Sequence, residues 1–365
     1  MTDRRVWVLK SERGIIIIHD HVDDSRLTCT TAAARSHFYL AWAMEFNSAP
    51  ESAELNEAFT GLRHREVRPG ATEITCKAVI HSLVDLIAPF TEYFSTTVPV
   101  TPLPQAALTL LRDQPDDQAT IRPSFIPHAQ KIAGTIGFIV TSVRPDAYFA
   151  YCVLAAYVNG TRMSELAFRL LIRIARYLTH TIHLGLTLIS PPPAPLGGAP
   201  LAGLDFYSTY VDSSHGNAPD GLSYGGFIVV CDGGGALAWK CIAPSAGDDS
   251  TGAAELRMGT LAYKYILALR SLQQDLDLGV GPSQPTPLYT DAQAMIDGTG
   301  CERLKKSSRW MATRYAMIRW GLLCRSIRLA KVAADRNCAD IVTKVLTGEL
   351  FERHRHTILG LAAHV

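Results

Sequence analysis

The chain has 365 residues, 47% of them apolar and 19% charged, with a formal charge of +1. That length accommodates roughly two or three domains, and the apolar share excludes a disordered chain. The near-neutral balance excludes a global field for nucleic acid, so any such contact needs a local basic patch. In chain order, residues 5–9 and 15–18 predict a β-hairpin turning at 11–14, and residues 32–46 predict a helix. Short strands are expected at 58–62 and 74–79, then a helix at 81–90. Residues 96–104 (TTVPVTPLP) make an extended, proline-rich connector. Helices follow at 129–142, 145–158 and 164–179, where apolar residues recur at three- and four-residue spacing.

The stretch 190–200 (SPPPAPLGGAP) is the clearest boundary. Prolines without amide donors and paired glycines continue neither a helix nor a central strand. Beyond it the pattern changes. Residues 206–211 read as a strand, and 226–231 and 236–241 as strands flanking Asp232-Gly233-Gly234-Gly235, a hairpin turn. A long amphipathic helix at 251–276, a strand at 286–290, a helix at 308–326, a strand at 327–332 and a helix at 337–346 complete the chain. Three antiparallel strands followed by alternating helices and strands make an α/β pattern. The eight cysteines include no C-x-x-C pair, which argues against a zinc ribbon and for reduced cysteines in an intracellular protein. No uncharged apolar run reaches the roughly 18 residues of a membrane span, and no secretory signal is expected at the N-terminus.

Four acids fall at telling places. Asp212 follows an apolar strand, Glu255 lies near the start of the long helix, Asp291 ends the 286–290 strand, and Asp340 sits in the first turn of the 337–346 helix. Acids at strand ends and helix starts can converge on one rim of a sheet. Phosphodiester hydrolysis needs an activated water and a stabilised leaving oxygen, and two Mg²⁺ ions about 3.5–4 Å apart supply both. Hard cations prefer carboxylate oxygens, and four crowded carboxylates repel one another without cations. Two Mg²⁺ or Mn²⁺ ions are therefore expected at Asp212, Glu255, Asp291 and Asp340. The competing reading is that each Asp is a turn or N-cap residue.

Other clusters carry less. His19-Asp20-His21-Val22-Asp23-Asp24 approaches a zinc-hydrolase signature but ends in Asp24 where a histidine is needed. Arg303, Lys305, Lys306, Arg309, Arg314 and Arg319 form a basic run interleaved with Trp310, Tyr315 and Trp320. From it Lys305, Lys306, Arg309 and Arg314 are taken as nucleic-acid contacts, against the alternative of a solvated helix face. Arg353-His354-Arg355-His356 reads as a surface tail. Ser213 and His215 beside Asp212 suggest a hydrolytic triad only weakly, since no nucleophile elbow is present.

Several segments also resemble a known family. Tyr210-Val211-Asp212-Ser213, Ser223-Tyr224-Gly225-Gly226-Phe227 with Ala238-Trp239-Lys240, Thr251-Gly252-Ala253-Ala254-Glu255-Leu256, Leu288-Tyr289-Thr290-Asp291-Ala292 and Asn337-Cys338-Ala339-Asp340-Ile341-Val342-Thr343-Lys344 follow in one order. Thr141-Ser142-Val143-Arg144-Pro145-Asp146, Ala175-Arg176-Tyr177-Leu178 and Pro99-Val100-Thr101-Pro102-Leu103 precede them, and His21-Val22-Asp23-Asp24 and Phe59-Thr60-Gly61-Leu62 come earlier still. Together they resemble the end of a copia-type retrotransposon polyprotein, the tail of its reverse transcriptase followed by its ribonuclease H. The resemblance implies a truncated reverse transcriptase palm over 1–95, a helical thumb or connection over 96–189, a linker at 190–200, and a ribonuclease H-like domain over 201–365. That last domain would be a mixed sheet with flanking helices.

It also implies catalytic roles for Asp212, Glu255, Asp291 and Asp340, and makes Asp23 and Asp24 remnants of a polymerase metal site. The expected substrate is RNA in an RNA–DNA hybrid. The chain starts just before the palm hairpin, so no autonomous polymerase activity is expected. Residues 331–336 contain no histidine, and Trp310 stands where a histidine is usual. These departures motivate a second expectation, a catalytically idle structural subunit of a larger ribonucleoprotein or organellar assembly.

Overall fold

The computed structural model describes residues 6–21, 24–47, 58–114, 120–158, 163–189, 206–214, 223–243, 250–276, 284–301 and 306–361. The expected linker at 190–200 lies outside the described residues. Strands β1 (Val6–Ser11), β2 (Gly14–His21) and β3 (Asp24–Cys29) form an antiparallel meander. Helix α1 (Ala32–Phe46) follows, its first turn capped by Thr31, whose hydroxyl accepts from the Ala34 amide at 3.0 Å.

The strand expected at 58–62 is a tight turn instead. Phe59 and Leu62 exchange backbone hydrogen bonds of 2.9 and 3.0 Å, with Thr60 and Gly61 at φ of 53° and 81°. Left-handed backbone at two consecutive residues cannot continue a strand. The strands lie further on, as β4 (Arg63–Arg68) and β5 (Ala71–Thr75), and α2 (Lys77–Ile87) begins where the second expected strand was to continue.

Helices α3 (Ala107–Arg112), α4 (Ile126–Ser142), α5 (Tyr148–Val158) and α6 (Glu165–His180) pack with α2 around Ile80, Leu83, Ile132, Ile136, Phe168 and Leu171, all buried. Ser164 caps α6 through the Ala167 amide. Strand β6 (Leu186–Ile189), not expected from the sequence, returns to pair antiparallel with β5.

A second, mixed sheet of five strands has the order β11–β10–β7–β8–β9. Its members are β7 (Tyr207–Ser213), β8 (Gly225–Cys231), β9 (Ala236–Ile242), β10 (Thr286–Thr290) and β11 (Ile327–Lys331). The first three are antiparallel, and β10 runs parallel to both β7 and β11. Gly234 and Gly235, at φ of 111° and 89°, turn the β8–β9 hairpin.

Strand β8 explains why its sequence is an unbroken apolar run. Side chains alternate along a strand, and both faces of β8 are covered. Phe227 and Val229 join a core with α7 (Thr251–Leu276), α8 (Gln293–Gly300) and α9 (Ala312–Leu323). Ile228 and Val230 join the core of α2, α4, α5 and α6, so one hydrophobic cluster spans the helices and the sheet. Trp239 Nε1 donates to the Val140 carbonyl at 2.9 Å across the same contact.

Two expectations near the C-terminus are corrected. The helix expected at 337–346 is a short 3₁₀ turn, Cys338–Val342, whose two flanking residues, Asn337 and Thr343, bond by their side chains to Val211 and Asp212 of β7 and hold it against the sheet. The supposed surface tail Arg353–His356 lies inside α10 (Gly348–Leu359), which buries Phe351, His354 and Ile358. Among the described residues, no helix is long and apolar enough to cross a membrane.

A buried polar network joins α10 to the helices. Arg144 is fully buried and pairs with Asp146 through Nε and one terminal nitrogen at 2.9 and 2.8 Å. The guanidinium also donates to the Thr181 hydroxyl and carbonyl. Tyr177 donates to Asp146 at 2.5 Å, and Arg355 of α10 reaches the Tyr177 hydroxyl at 3.3 Å. Burial alone would raise the Asp146 pKa, but Arg144 and Tyr177 hold it below the usual range.

Candidate metal centre

Asp212 is the penultimate residue of β7, the central strand of the five. Its neighbour across the sheet is Gly226. A Cβ at Gly226 would stand 2.8 Å from both the Lys240 carbonyl oxygen and Val342 Cγ2, so glycine lets the 338–342 turn close over the sheet beside Asp212. On the other side, β10 pairs with β7 in parallel, Tyr289 opposite Tyr210. Carrying that register two residues on sets Asp291 beside Asp212. Glu255 comes from the start of α7, which packs on β7.

These placements bring one ligand oxygen each of Asp212, Glu255 and Asp291 within 4.8 Å of one another. Asp212 and Glu255 are buried, at 1% and 3% exposure, and Asp291 is half-buried. Glu255 Oε1 accepts from the Ser213 amide at 3.0 Å and the Ser213 hydroxyl at 3.2 Å. Glu255 Oε2 is buried with no hydrogen-bond partner. Burial, then Asp212 and Asp291, push the Glu255 pKa up to about 8, against the opposing donors of Ser213. An all-carboxylate donor set with an orphaned buried oxygen fits a hard divalent cation.

Asp340 is held differently. Lys344 Nζ lies 2.8 Å from Asp340 Oδ1 and 3.2 Å from Asp212 Oδ1, so an ammonium joins the two carboxylates. Burial, with Asp212 next, pushes the Asp340 pKa up to about 7 although Lys344 pulls it down. Burial would lower the Lys344 pKa, but Asp212 and Asp340 hold it above its ordinary value. Thr343 Oγ1 donates to Asp212 Oδ2. Asn337, fully buried, donates to the Val211 carbonyl at 3.0 Å and Asp291 Oδ1 at 3.2 Å, fixing Asp291 to the end of β7.

All four acids are named by the sequence, which gives no role to Asn337, Thr343 or Lys344; Ser213, weighed there as a triad nucleophile, instead donates to Glu255, and His215 lies outside the described residues. Only the spacing Asp340–Lys344 was a signal, and it reads equally as a surface helix pair.

The remaining candidates separate. Asp23 lies outside the described residues, and Asp24 is placed on β3 opposite His21. His19 and His21 stack edge-on to Phe59, while Asp20 accepts from Trp7 Nε1 and the Ser25 hydroxyl. Among the described residues, Asp212, Glu255 and Asp291 form the one group of three or more side chains close enough together to hold a metal ion. Lys305 lies outside the described residues, and Lys306 opens a 3₁₀ turn, Lys306–Met311. Arg309 is exposed and Arg314 half-buried. Arg319 is committed elsewhere: its guanidinium donates to the carbonyls of Gly298 and Thr299 at 2.8 and 2.9 Å, and to that of Cys301, at the end of α8. Trp310 and Trp320 are exposed, at 52% and 64%.

No protein-family model and no curated protein matches the chain. Solved structures that it is similar to include the N-terminal ribonuclease H domain of rv2228c from Mycobacterium tuberculosis, fused to maltose-binding protein. The identity is 16% over 38% of this chain and 89% of that one, with a TM-score of 0.28. Ribonuclease H1 of Halobacterium salinarum matches at 18% identity, and LC11 ribonuclease H1 in complex with an RNA/DNA hybrid at 16%. Each match covers 38% of this chain and 93% of the other, again with TM-scores of 0.28.

Proposed function

We propose that the chain is a divalent-metal-dependent ribonuclease of the ribonuclease H type that cuts the RNA strand of RNA–DNA hybrids. The observation that carries this reading is the meeting of Asp212, Glu255 and Asp291 within 4.8 Å at the ends of the adjacent inner strands β7 and β10 of a mixed five-stranded sheet. These residues would hold Mg²⁺ or Mn²⁺, with Asp340 facing Asp212 across Lys344. A bound divalent ion supplies Lewis-acid activation of water and stabilises charge on the leaving 3′ oxygen.

The chain's own groups position the ligands. Ser213 occupies one Glu255 oxygen and leaves the other for a ligand, Asn337 fixes Asp291, and Thr343 fixes one oxygen of Asp212. The 2′-hydroxyl distinguishes the RNA strand from DNA. Arg309 and Trp310, exposed side by side, are suited to phosphate contact and stacking.

The same proposal takes residues 1–189 as reverse transcriptase palm and helical thumb of a copia-type element, and the protein as intracellular, where such hybrids arise. The buried association of Arg144, Asp146 and Tyr177 supports it, since two of the resembling segments meet there.

The test incubates the full chain with end-labelled RNA–DNA hybrid. Internal cleavage is expected with Mg²⁺, none with EDTA, and none with Asp212→Asn of unchanged circular dichroism. Full cleavage by Asp212→Asn, or none by the unmodified chain, overturns the proposal. A second reading, the idle structural subunit, is favoured by Lys344, whose ammonium pairs with both Asp212 and Asp340 and offsets part of their charge. Absence of cleavage together with co-purification in one fixed assembly selects it.

A further inference from the structure

We propose that Lys344 is a built-in cation that takes one of the two ion positions four carboxylates would provide, so that the centre binds one divalent ion per chain. The inference rests on the metal-dependent reading above. The four acids divide into two unequal groups. Asp212, Glu255 and Asp291 present oxygens within 4.8 Å of one another, and Asp340 is not a member of that group. Asp340 is joined to Asp212 through Lys344 Nζ, 2.8 Å from one and 3.2 Å from the other. A second ion shared by Asp212 and Asp340 needs the space between those same oxygens, and the ammonium is in it.

The lysine is held there. Its side chain is 32% exposed, and it follows the 338–342 turn, which Asn337 and Thr343 tie to β7. The other oxygen of Asp212 already accepts from Thr343. A divalent ion entering beside Nζ would meet a like charge in a half-buried setting, where repulsion is poorly screened. The trio has the opposite character: Glu255 Oε2 is buried with no hydrogen-bond partner, and the groups that donate to Glu255 Oε1 and Asp291 Oδ1, Ser213 and Asn337, are neutral. One position is filled by the protein, and the other is left for a ligand.

The chemical consequence follows from the difference between the two cations. An ammonium balances charge and donates hydrogen bonds but offers no vacant coordination position to a water. A centre with Lys344 in place therefore has a single Lewis-acid position.

The probe is Mn²⁺ on the full-length chain, with stoichiometry from equilibrium dialysis and electron paramagnetic resonance reporting whether two ions are spin-coupled. The unmodified protein is expected to bind one Mn²⁺ at the centre with an uncoupled spectrum. Lys344→Met is expected to bind two with a coupled spectrum, and Lys344→Arg to return to one. Two coupled ions in the unmodified protein overturn the inference and leave the metal-dependent reading standing. One ion in folded Lys344→Met also overturns it. No ion in the unmodified protein, or binding unaffected by Glu255→Gln, overturns both. Should Lys344→Met fail to fold, as judged by circular dichroism, Lys344→Gln takes its place and the count in the unmodified protein still decides.

Discussion

The Ser213 amide donates to Glu255 Oε1 at 3.0 Å, so the strand that carries Asp212 also holds the carboxylate supplied by helix α7. The bond fixes where Glu255 points, and it brings an acid into a buried place beside Asp212 and Asp291. The cost of that placement is electrostatic and depends on pH.

The Glu255 pKa is raised from 4.5 to about 8 in the folded chain. The folded state therefore binds more protons than the unfolded state between those values. The stabilising effect of protonation is complete below about 4.5 and is lost as pH rises through about 8. Asp340, raised from 3.8 to about 7, acts in the same sense. His64 and His354, both lowered to about 4 by burial, act in the opposite sense between about pH 4 and 6.5, so the carboxyl contribution is read by difference: in EDTA, the Tm of the unmodified protein relative to that of Glu255→Gln is expected to fall from pH 5 to pH 8. Mg²⁺ should raise the Tm more at pH 8 than at pH 5, because the ion replaces the protons. Differential scanning fluorimetry of both proteins across the range checks each point, and a difference between them that is independent of pH in EDTA would count against the arrangement.

Gly226 offers a steric test of the same site. An alanine methyl would stand 2.8 Å from the Lys240 carbonyl oxygen and 2.8 Å from Val342 Cγ2. One neighbour is backbone of β9, held by its ladder to β8, so the other must move and the 338–342 turn shifts outward. Gly226→Ala is expected to cost about 1–3 kcal/mol, the range for overpacking, read by urea denaturation. It should also weaken Mn²⁺ binding, since Asn337 and Thr343 would no longer hold Asp291 and Asp212. Unchanged stability and affinity together would refute the tight closure.

What was legible in the sequence follows from how local each signal is. Helices α1 and α7 and strand β10 fall where periodicity placed them, because apolar spacing and end residues are local. The acids were legible as residues at the ends of apolar runs. Strand β4 was not, since Arg-His-Arg-Glu-Val-Arg has no apolar alternation and is ordered by pairing with β5. Strand β6 was missed because its partner β5 lies far upstream. Lys344 was passed over for a related reason: the carboxylate that makes it more than a surface lysine lies on β7, 132 residues away. His354 was read as part of a tail, yet burial on α10 lowers its pKa to about 4.

The Arg144–Asp146 pair gives an energetic prediction independent of the metal centre. Asp146→Ala leaves a fully buried guanidinium without its carboxylate and is expected to cost about 3–5 kcal/mol. Tyr177→Phe removes one donor to Asp146 and an acceptor for Arg355, and should cost less, about 1–3 kcal/mol. Both should reduce amide protection in α10, because Arg355 ties that helix to Tyr177. Urea denaturation and hydrogen exchange measure the two effects, and α10 protection unchanged in Tyr177→Phe would show that the helix is held by packing alone.

The basic run around α9 separates into side chains that can meet a ligand and one that cannot. Arg309 and Trp310 are exposed, whereas Arg319 is bonded to three carbonyls at the end of α8. If Arg309 contacts a phosphate, Arg309→Ala should weaken hybrid binding and flatten the log–log salt dependence by up to about 0.9, the counterion release of one duplex contact. Trp310→Ala should weaken binding with little change in that slope, since stacking releases no counterions. Neither should alter the Tm, as exposed positions away from any cap or core rarely do. Arg319→Ala should lower the Tm, because it strips the α8 carbonyls of their donor. Fluorescence anisotropy with a catalytically inert Asp212→Asn background, at several salt concentrations, tells these apart. A salt slope unchanged by Arg309→Ala would remove this arginine from the nucleic-acid surface.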